Sequence, residues 1–319
     1  RANELQPGIP SLQAKLAACA VFVGRLDDAR DLYKQLLRQA PGHQRNHYEL
    51  SRIVVASDDS HLKVMQSLLA SANLAPEKNI YLYYAIGKEL EDLKRWDEAF
   101  DYFRRAGAAA KLVSDYDVGE DVALIDRIVD VCDAAWIGDN DASDANTPSG
   151  PVPVFVVGLP RSGTTLTERI LSSHSRIESI GESFALQSTL LRLSGNNIGG
   201  AGRLTPAHIH KASQSDPADL RKAYLQAVSY RLSGADYFIE KFPENFLYLG
   251  FIARAFPDAR IILVQRNPLD ACFAMFKQSF FRYAYSLDDL GPYYQAYDRL
   301  VRHWRRVLPD RLIEVNYEQ

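Results

Sequence analysis

The stretch from Val154 to Ser173 constrains the fold more than any other. Val154, Phe155, Val156 and Val157 form an unbroken apolar run, as a strand buried on both faces of a parallel sheet requires. The run stops at Gly158. Leu159-Pro160-Arg161-Ser162-Gly163-Thr164-Thr165 then supplies small residues and a proline, after which Leu166, Ile170 and Leu171 recur at helical spacing. This order predicts strand, tight loop, helix. A loop that opens a helix presents backbone N–H groups that no helical carbonyl accepts, and the helix dipole adds partial positive charge there. Such a loop cradles an anion.

The spacing Gly158-x4-Gly163 followed by Thr164-Thr165 is that of a nucleotide phosphate loop (P-loop), except that Thr164 stands where the lysine belongs. An ATP or GTP hydrolase needs that lysine on its β/γ-phosphates. Here the cation comes earlier, as Arg161, which favours a shorter anion over a triphosphate. A nucleoside or small-molecule kinase shares the spacing and is a rival reading that the missing lysine weakens.

From Pro151 onward strands and helices alternate. Strands are expected at Val154–Val157, Tyr237–Glu240, Ile261–Gln265 and Leu312–Asn316. Helices are expected at Leu166–Ser173, Asn245–Phe256, Pro268–Lys277 and Pro292–Leu308. The alternation predicts a P-loop-type α/β domain, a parallel sheet flanked by helices, whose ligands sit at the carboxyl ends of the strands. Arg161, Lys241 and Arg266 each follow or end one of those strands. Arg266 is costly to bury without an anionic partner, and its fork suits a phosphate; an ion pair with Asp270 is the alternative. Tyr293, Tyr297, Leu300, Val301 and Trp304 have helical spacing and read as core, whereas Phe280 to Tyr285 could instead wall an acceptor cleft.

Before the linker the pattern is helical and repeats. Gly24, Ala29, Tyr33, Leu37 and Pro41 match the second half of a tetratricopeptide (TPR) unit. Pro41 recurs as Pro76, 35 residues on, and Ala99 and Phe103 repeat the Ala29 and Tyr33 positions after two such periods. Three hairpins are expected, the middle one (Arg45 to Asn73) degenerate, with a further helix over Asp117 to Trp136 closing the array. They read as packing scaffold, or as a face for a protein partner. The polar, turn-rich segment Gly138 to Gly150 is expected to link a TPR-like helical domain (1–137) to the α/β domain (151–319). Gly195 to Gly202 reads as a surface connection or a lid.

The net charge of −3 gives no general attraction to nucleic acid or acidic membranes. Cys19, Cys132 and Cys272 lie far apart with no CxxC pairing, which argues against a disulfide framework and a zinc site and fits a reducing, cytoplasmic setting. No apolar run reaches the roughly 18 to 20 residues of a membrane span. Arg1 is not an initiating residue, which leaves room for a leader upstream.

Pro160-Arg161-Ser162-Gly163-Thr164-Thr165 after a buried strand resembles the 5′-phosphosulfate loop of sulfotransferases that use 3′-phosphoadenosine 5′-phosphosulfate (PAPS). Glu240-Lys241-Phe242-Pro243-Glu244-Asn245 through Gly250, and Arg266-Asn267-Pro268-Leu269-Asp270-Ala271-Cys272, are similar to segments of bacterial sulfotransferases with N-terminal tetratricopeptide repeats, which are related at the loop to protein-tyrosine sulfotransferases. The likeness covers nearly the whole chain, with three motifs in order. It implies that Arg161, Ser162, Gly163, Thr164 and Thr165 hold the 5′-phosphate, that Arg266 holds the 3′-phosphate, and that no metal takes part. It also implies catalysis by Lys241, Arg161 and a base drawn from the Gly181-Glu182 segment, with the product adenosine 3′,5′-bisphosphate. Lys241 could otherwise be a surface lysine, and Glu182 a helix cap. His174 is the rival base, although its place after Ser172-Ser173 suits a helix end.

Two departures from the family stand out. Ala274 replaces the serine expected eight residues after Arg266, a loss of roughly 1.5 to 3 kcal/mol of charge-assisted bonding, and Ser279 is five residues too far to replace it. The family also continues beyond the last strand with basic residues near the 3′-phosphate, so a further segment is expected after Gln319. The reading that results is a PAPS-dependent sulfotransferase acting on a hydroxyl of a small molecule, a saccharide or a protein tyrosine. A non-catalytic repeat scaffold with a decayed transferase domain is its main rival.

Overall fold

A computed structural model of the chain describes residues 8–72, 74–138, 150–195 and 203–318. The expected linker, apart from its end residues, and the glycine-rich stretch after Gly195 lie outside the described residues. The chain forms two compact units, Arg1–Tyr116 with Phe276–Leu290, and Asp117–Met275 with Gly291–Gln319.

In the first unit, helices α1 (Pro10–Phe22), α2 (Leu26–Gln39), α3 (Gln44–Ile53), α4 (Ser60–Ala72), α5 (Ile80–Asp92) and α6 (Trp96–Lys111) follow one another; α1 packs on α2 and α5 on α6, whereas in the middle of the series α3 packs on α2 and α5, and α4 on α5. Small residues set the approach within the first pair, where Ala17 and Ala20 of α1 cluster with Ala29, Tyr33 and Leu36 of α2. Helix α5 is buried almost continuously from Leu82 to Gly87, and Ala99, Phe103 and Ala106 of α6 are buried in the same unit. Residues 276–290 belong here and not with the sheet: Ser279 hydrogen-bonds the Tyr48 hydroxyl at 2.9 Å, and Lys277 pairs with Glu91 and Lys111 with Asp289 at 2.5 and 2.6 Å.

The second unit opens with α7 (Val118–Val131) and α8 (Ala134–Gly138). The single helix expected over Asp117 to Trp136 is broken because the Asp133 carboxylate accepts the Trp136 N–H at 2.7 Å and caps a new start. Both helices pack within this unit, so its edge falls at residue 117.

The sheet holds β1 (Val152–Gly158), β2 (Ile177–Gly181), β3 (Tyr237–Lys241), β4 (Arg260–Gln265) and β5 (Leu312–Asn316), all parallel, in the order β2-β3-β1-β4-β5. Its central strands are as apolar as their burial demands, with Phe155, Val156, Val157, Ile239, Leu263 and Val264 fully buried. Strand β2 went unforeseen because its sequence, Ile-Glu-Ser-Ile-Gly, has no apolar run and lies at an edge.

Around the sheet lie α9 (Thr164–Leu171), α10 (Ala185–Leu193), α11 (Pro206–Ala212), α12 (Pro217–Val228), α13 (Leu249–Ala255), α14 (Pro268–Phe276) and α15 (Leu287–Val307). The helix expected from Asn245 begins as a 3₁₀ turn, Pro243–Tyr248, before α13. Helix α15 starts five residues before the expected Pro292, which it accommodates inside its second turn.

Candidate active site

From β1 the chain crosses to β2 and β3 on one side and later to β4 and β5 on the other. The carboxyl end of β1 is therefore a switch point, where an open parallel sheet leaves a crevice. Strand register brings three predicted segments to that edge. Gly158 lies beside Val264, one residue before Gln265 and two before Arg266, and Lys241 lies beside Val156.

The loop from Gly158 to Thr165 owes its shape to three left-handed residues, Gly158 (φ +146°), Arg161 (φ +68°) and Gly163 (φ +102°). A Cβ on Gly158 would stand 2.3 Å from the Val264 carbonyl oxygen, and one on Gly163 would stand 2.2 Å from Cδ2 of Tyr317, so both positions exclude any side chain. Arg161 takes that conformation without being glycine, a local strain of the kind that marks functional turns. Helix α9 begins at Thr164 with no side-chain cap, and Thr167 is the first residue whose N–H reaches the Gly163 carbonyl, at 3.1 Å. The N–H groups of its first turn are thus left to face the crevice. Ser162 Oγ is buried without a partner among the described residues, Thr164 is buried and Thr165 exposed. The Arg161 side chain is exposed and has no hydrogen bond or ion pair among the described residues.

Lys241 ends β3 with its side chain only 7% exposed, and its Nζ donates to Glu182 Oε1. This disposes of the surface-lysine alternative. Glu182 follows Gly181 at the end of β2, and its carboxylate is 55% exposed. Arg231 fixes that corner by donating to the carbonyls of Ile180 (2.8 Å) and Glu182 (3.1 Å). Burial raises the Glu244 carboxyl above its ordinary range; the Arg203 charge opposes the rise and Glu182 reinforces it. Beside Lys241, Glu240 is fully buried, with Oε1 accepting from Asn245 Nδ2 at 2.9 Å and Oε2 accepting from the Tyr224 hydroxyl.

Arg266 braces the loop from the other side. Its Nη1 donates to the Arg161 carbonyl at 3.1 Å, and its guanidinium lies 5.2 Å from the centre of the Tyr317 ring. Glu318, and not Asp270 of the alternative reading, is its acidic neighbour, 3.6 Å from Nε. That separation is an ion pair but no hydrogen bond, and among the described residues the buried Nε has no acceptor. Glu318 is held in place because its carboxylate also accepts the Asn267 N–H at 3.1 and 3.2 Å.

The structure brings together Arg161 to Thr165 and Arg266 by direct contact, and Lys241 with Glu182. It leaves His174 apart. His174 lies beyond the far end of α9, where its Nδ1 accepts the Arg176 N–H. Ser279 sits in the first unit, as do Phe280 to Tyr285. Tyr293, Tyr297, Leu300, Val301 and Trp304 are core. Sequence reasoning missed Tyr317, Glu318, Arg231 and the Tyr224–Glu240–Asn245 network. Tyr317 and Glu318 had a usable signal, since they directly follow the last strand of the sheet; the others carried none. Among the described residues no helix is long and apolar enough to cross a membrane, and no group of His, Cys, Asp or Glu could hold a metal ion.

Residues 153–319 match the model of a family described as the sulfotransferase family. An uncharacterized protein of Aquifex aeolicus is 26% identical over 327 residues, covering all of this chain and 42% of that protein. The nodulation protein NoeE of Sinorhizobium fredii is 26% identical over 123 residues, 37% of this chain and 29% of that protein. The chain thus spans less than half the length of either relative. Among solved structures, the sulfotransferase STF1 of Mycobacterium tuberculosis is similar with a TM-score of 0.36 at 12% identity, over 83% of this chain and 85% of that one. For STF9 of Mycobacterium avium the values are 0.33 and 15%, over 83% and 79%.

Proposed function

The chain belongs to the sulfotransferase family, and from that premise we propose that it transfers a sulfuryl group from PAPS to an acceptor hydroxyl. The observation that carries the reading is the meeting, at one edge of a parallel sheet, of a lysine-free anion cradle and a buried Lys241 paired with Glu182. Two orphaned polar atoms fit a donor with two separate anionic groups. Ser162 Oγ lies in the loop that would take the 5′-phosphate, and Arg266 Nε lies where the 3′-phosphate would bind.

The donor supplies an activated sulfur. On this reading a bond forms from the acceptor oxygen to that sulfur as the bond from sulfur to the 5′-phosphate oxygen breaks, and the electron pair stays with the phosphate. Glu182 takes the acceptor's proton. Lys241, Arg161 and the open N–H groups of Thr164 and Thr165 stabilise the charge that grows on the leaving oxygen, a role in which one fixed donor is worth roughly 10²- to 10³-fold in rate. The helix pairs of the first unit, read as tetratricopeptide-type repeats, offer a face to a protein partner or a polypeptide acceptor. Three free cysteines fit a reducing cytoplasm.

A second reading, a scaffold whose transferase domain has lost turnover, draws on Ala274 and on the Arg266–Glu318 pair. Calorimetric titration with adenosine 3′,5′-bisphosphate, together with labelled PAPS offered to a panel of hydroxyl compounds, separates the two. Arg161→Ala is expected to weaken nucleotide binding about 10- to 100-fold without moving the melting temperature, since the side chain has no hydrogen bond or ion pair among the described residues to lose. Nucleotide binding that ignores Arg161 refutes the proposal, and binding without turnover on any acceptor favours the scaffold.

A further inference from the structure

Strand β2 brings Glu182 to Lys241 through a slip in register. Its first residues pair one for one with β3, Ile177 with Tyr237, Glu178 with Phe238 and Ser179 with Ile239; Gly181 then faces Glu240, and Ile180 has no partner in β3. One extra residue of this kind is a β-bulge, rare between parallel strands and over-represented beside active sites, where it re-aims a side chain. Without the extra residue Gly181 would come level with Lys241, and Glu182 would pass on to Phe242. With it Glu182 comes level with Lys241, and there its carboxylate accepts from Nζ.

A bulge disrupts the ladder, so its main-chain groups need other partners. Two side chains supply them. Ser179 Oγ accepts the Gly181 N–H at 3.0 Å and donates to Glu168 Oε1, which ties the bulge to α9, the helix that the anion loop opens. Arg231, in the 3₁₀ turn Ser229–Arg231 that follows α12, donates from Nη1 to the carbonyl of the unpaired Ile180 at 2.8 Å and to that of Glu182 at 3.1 Å. Its Nε donates to the Tyr230 hydroxyl at 2.9 Å, and the guanidinium lies 5.4 Å from the centre of that ring, which sets its direction. Among the described residues Arg231 forms no ion pair, so its hydrogen bonds serve the main chain of the bulge and not an acid.

We propose that Arg231 is a positioning residue for sulfuryl transfer, clamping the bulge so that Glu182 stays level with Lys241. The inference rests on the transfer reading above and deepens it, since Arg231 acts on the base through its main chain. Because both bonds end on carbonyls, the Glu182 carboxylate stays free to leave Lys241 for an acceptor hydroxyl while its backbone is held. Without the clamp β2 can relax toward the regular register, which would carry Glu182 one residue past Lys241, about 3.3 Å along the strand. A misplacement of about 1 Å already costs on the order of 10²-fold in rate.

The test compares the whole chain as wild type, Arg231→Ala and Arg231→Lys, using labelled PAPS and whichever acceptor of the hydroxyl panel wild type turns over fastest. Arg231 is exposed, so the variants should fold. Arg231→Ala is expected to lower kcat about 10- to 100-fold with KM for PAPS and the affinity for adenosine 3′,5′-bisphosphate unchanged, the split that follows when only the transition state loses an interaction. Arg231→Lys should recover most of the loss, because an ammonium has hydrogens for both carbonyls. A second measurement needs no turnover. The rate at which acetic anhydride acetylates Lys241, read by mass spectrometry against the exposed lysines, should rise about 1.5- to 5-fold in Arg231→Ala as the partly exposed pair loosens. Unchanged Lys241 acetylation, raised acetylation with unchanged kcat, or a loss of kcat that Arg231→Lys does not recover would each overturn the proposal while wild-type transfer stands. Absence of transfer by wild type on every acceptor would instead overturn the transfer reading, and the role of Arg231 with it.

Discussion

Glu240 makes stability depend on pH in a way that can be worked out from its surroundings. Its carboxyl is fully buried between Tyr224 and Asn245, and burial pushes its pKa up to about 7 from an ordinary 4.5, against the pull of those two hydrogen bonds. The folded chain therefore holds the Glu240 proton more tightly than the unfolded chain does. That contribution is complete below pH 4.5 and is lost as pH rises through about 7. At about 1.4 kcal/mol per pH unit of separation, the interval is worth on the order of 3 kcal/mol, a large share of the stability of an ordinary domain. Glu240→Gln keeps the shape, keeps the bond from Asn245 and can donate to the Tyr224 oxygen, but it does not titrate. Urea unfolding of both proteins from pH 4 to 8.5, followed by the fluorescence of the buried Trp304 in the same unit, isolates the effect, since every other titrating group cancels in the difference. Wild-type stability should fall relative to the variant across the window by an amount of that order. Parallel profiles would show that Glu240 is not the desolvated carboxyl described.

Lys241→Met replaces a buried ammonium by an apolar chain of similar length and leaves only the half-exposed Glu182 unpaired. Transfer rate should drop about 10²- to 10³-fold, while the melting temperature stays within a few degrees because removing the pair is near neutral; a rate within fivefold of wild type, measured with labelled donor, would exclude a catalytic role. Gly163→Ala should weaken adenosine 3′,5′-bisphosphate binding and destabilise the second unit by about 1 to 3 kcal/mol, because its Cβ would enter the Tyr317 ring; unchanged calorimetric affinity and an unchanged urea midpoint would count against the loop geometry. Glu318→Gln removes the carboxylate beside Arg266 and should tighten the same nucleotide about 1.5- to 5-fold, the worth of a partly exposed pair; weaker binding would show that Glu318 orders the site instead of competing for it.

Much of this was legible because the central strands are uniformly apolar and end in residues of another kind. Val154 to Val157 can be little else than a buried strand, and Gly158, Arg161 and Gly163 then announce the turn. Lys241 and Arg266 were found by the same change of character at a strand end. What escaped had no local signature. Strand β2 is an edge strand with one buried side chain, Ile180, so its pattern does not alternate. Residues 276–290 are rich in aromatics, which says that they are buried but not in which unit. Pairings such as Glu182 with Lys241 or Glu318 with Arg266 join residues far apart in sequence, and only the strand order sets them side by side.

The two cations on which the proposed chemistry depends are both neutralised in the free protein by carboxylates more exposed than themselves. Lys241 is 7% exposed against 55% for Glu182, and Arg266 is 28% exposed against 40% for Glu318. Burying an unpaired ammonium costs several kcal/mol, so Lys241 needs an anion whether or not a donor is bound. A carboxylate that reaches in from solvent meets the need, yet it can be rehydrated cheaply when a stronger anion arrives. A phosphosulfate at the loop would compete with Glu182 for Lys241, and a 3′-phosphate would compete with Glu318 for Arg266. The first exchange has a chemical consequence that the second lacks. A Glu182 released by its ammonium has its carboxylate free to accept a hydrogen bond from an acceptor hydroxyl, at the moment when that hydroxyl must lose its proton. The Glu318→Gln affinity reads one exchange, and the Lys241→Met rate reads the other.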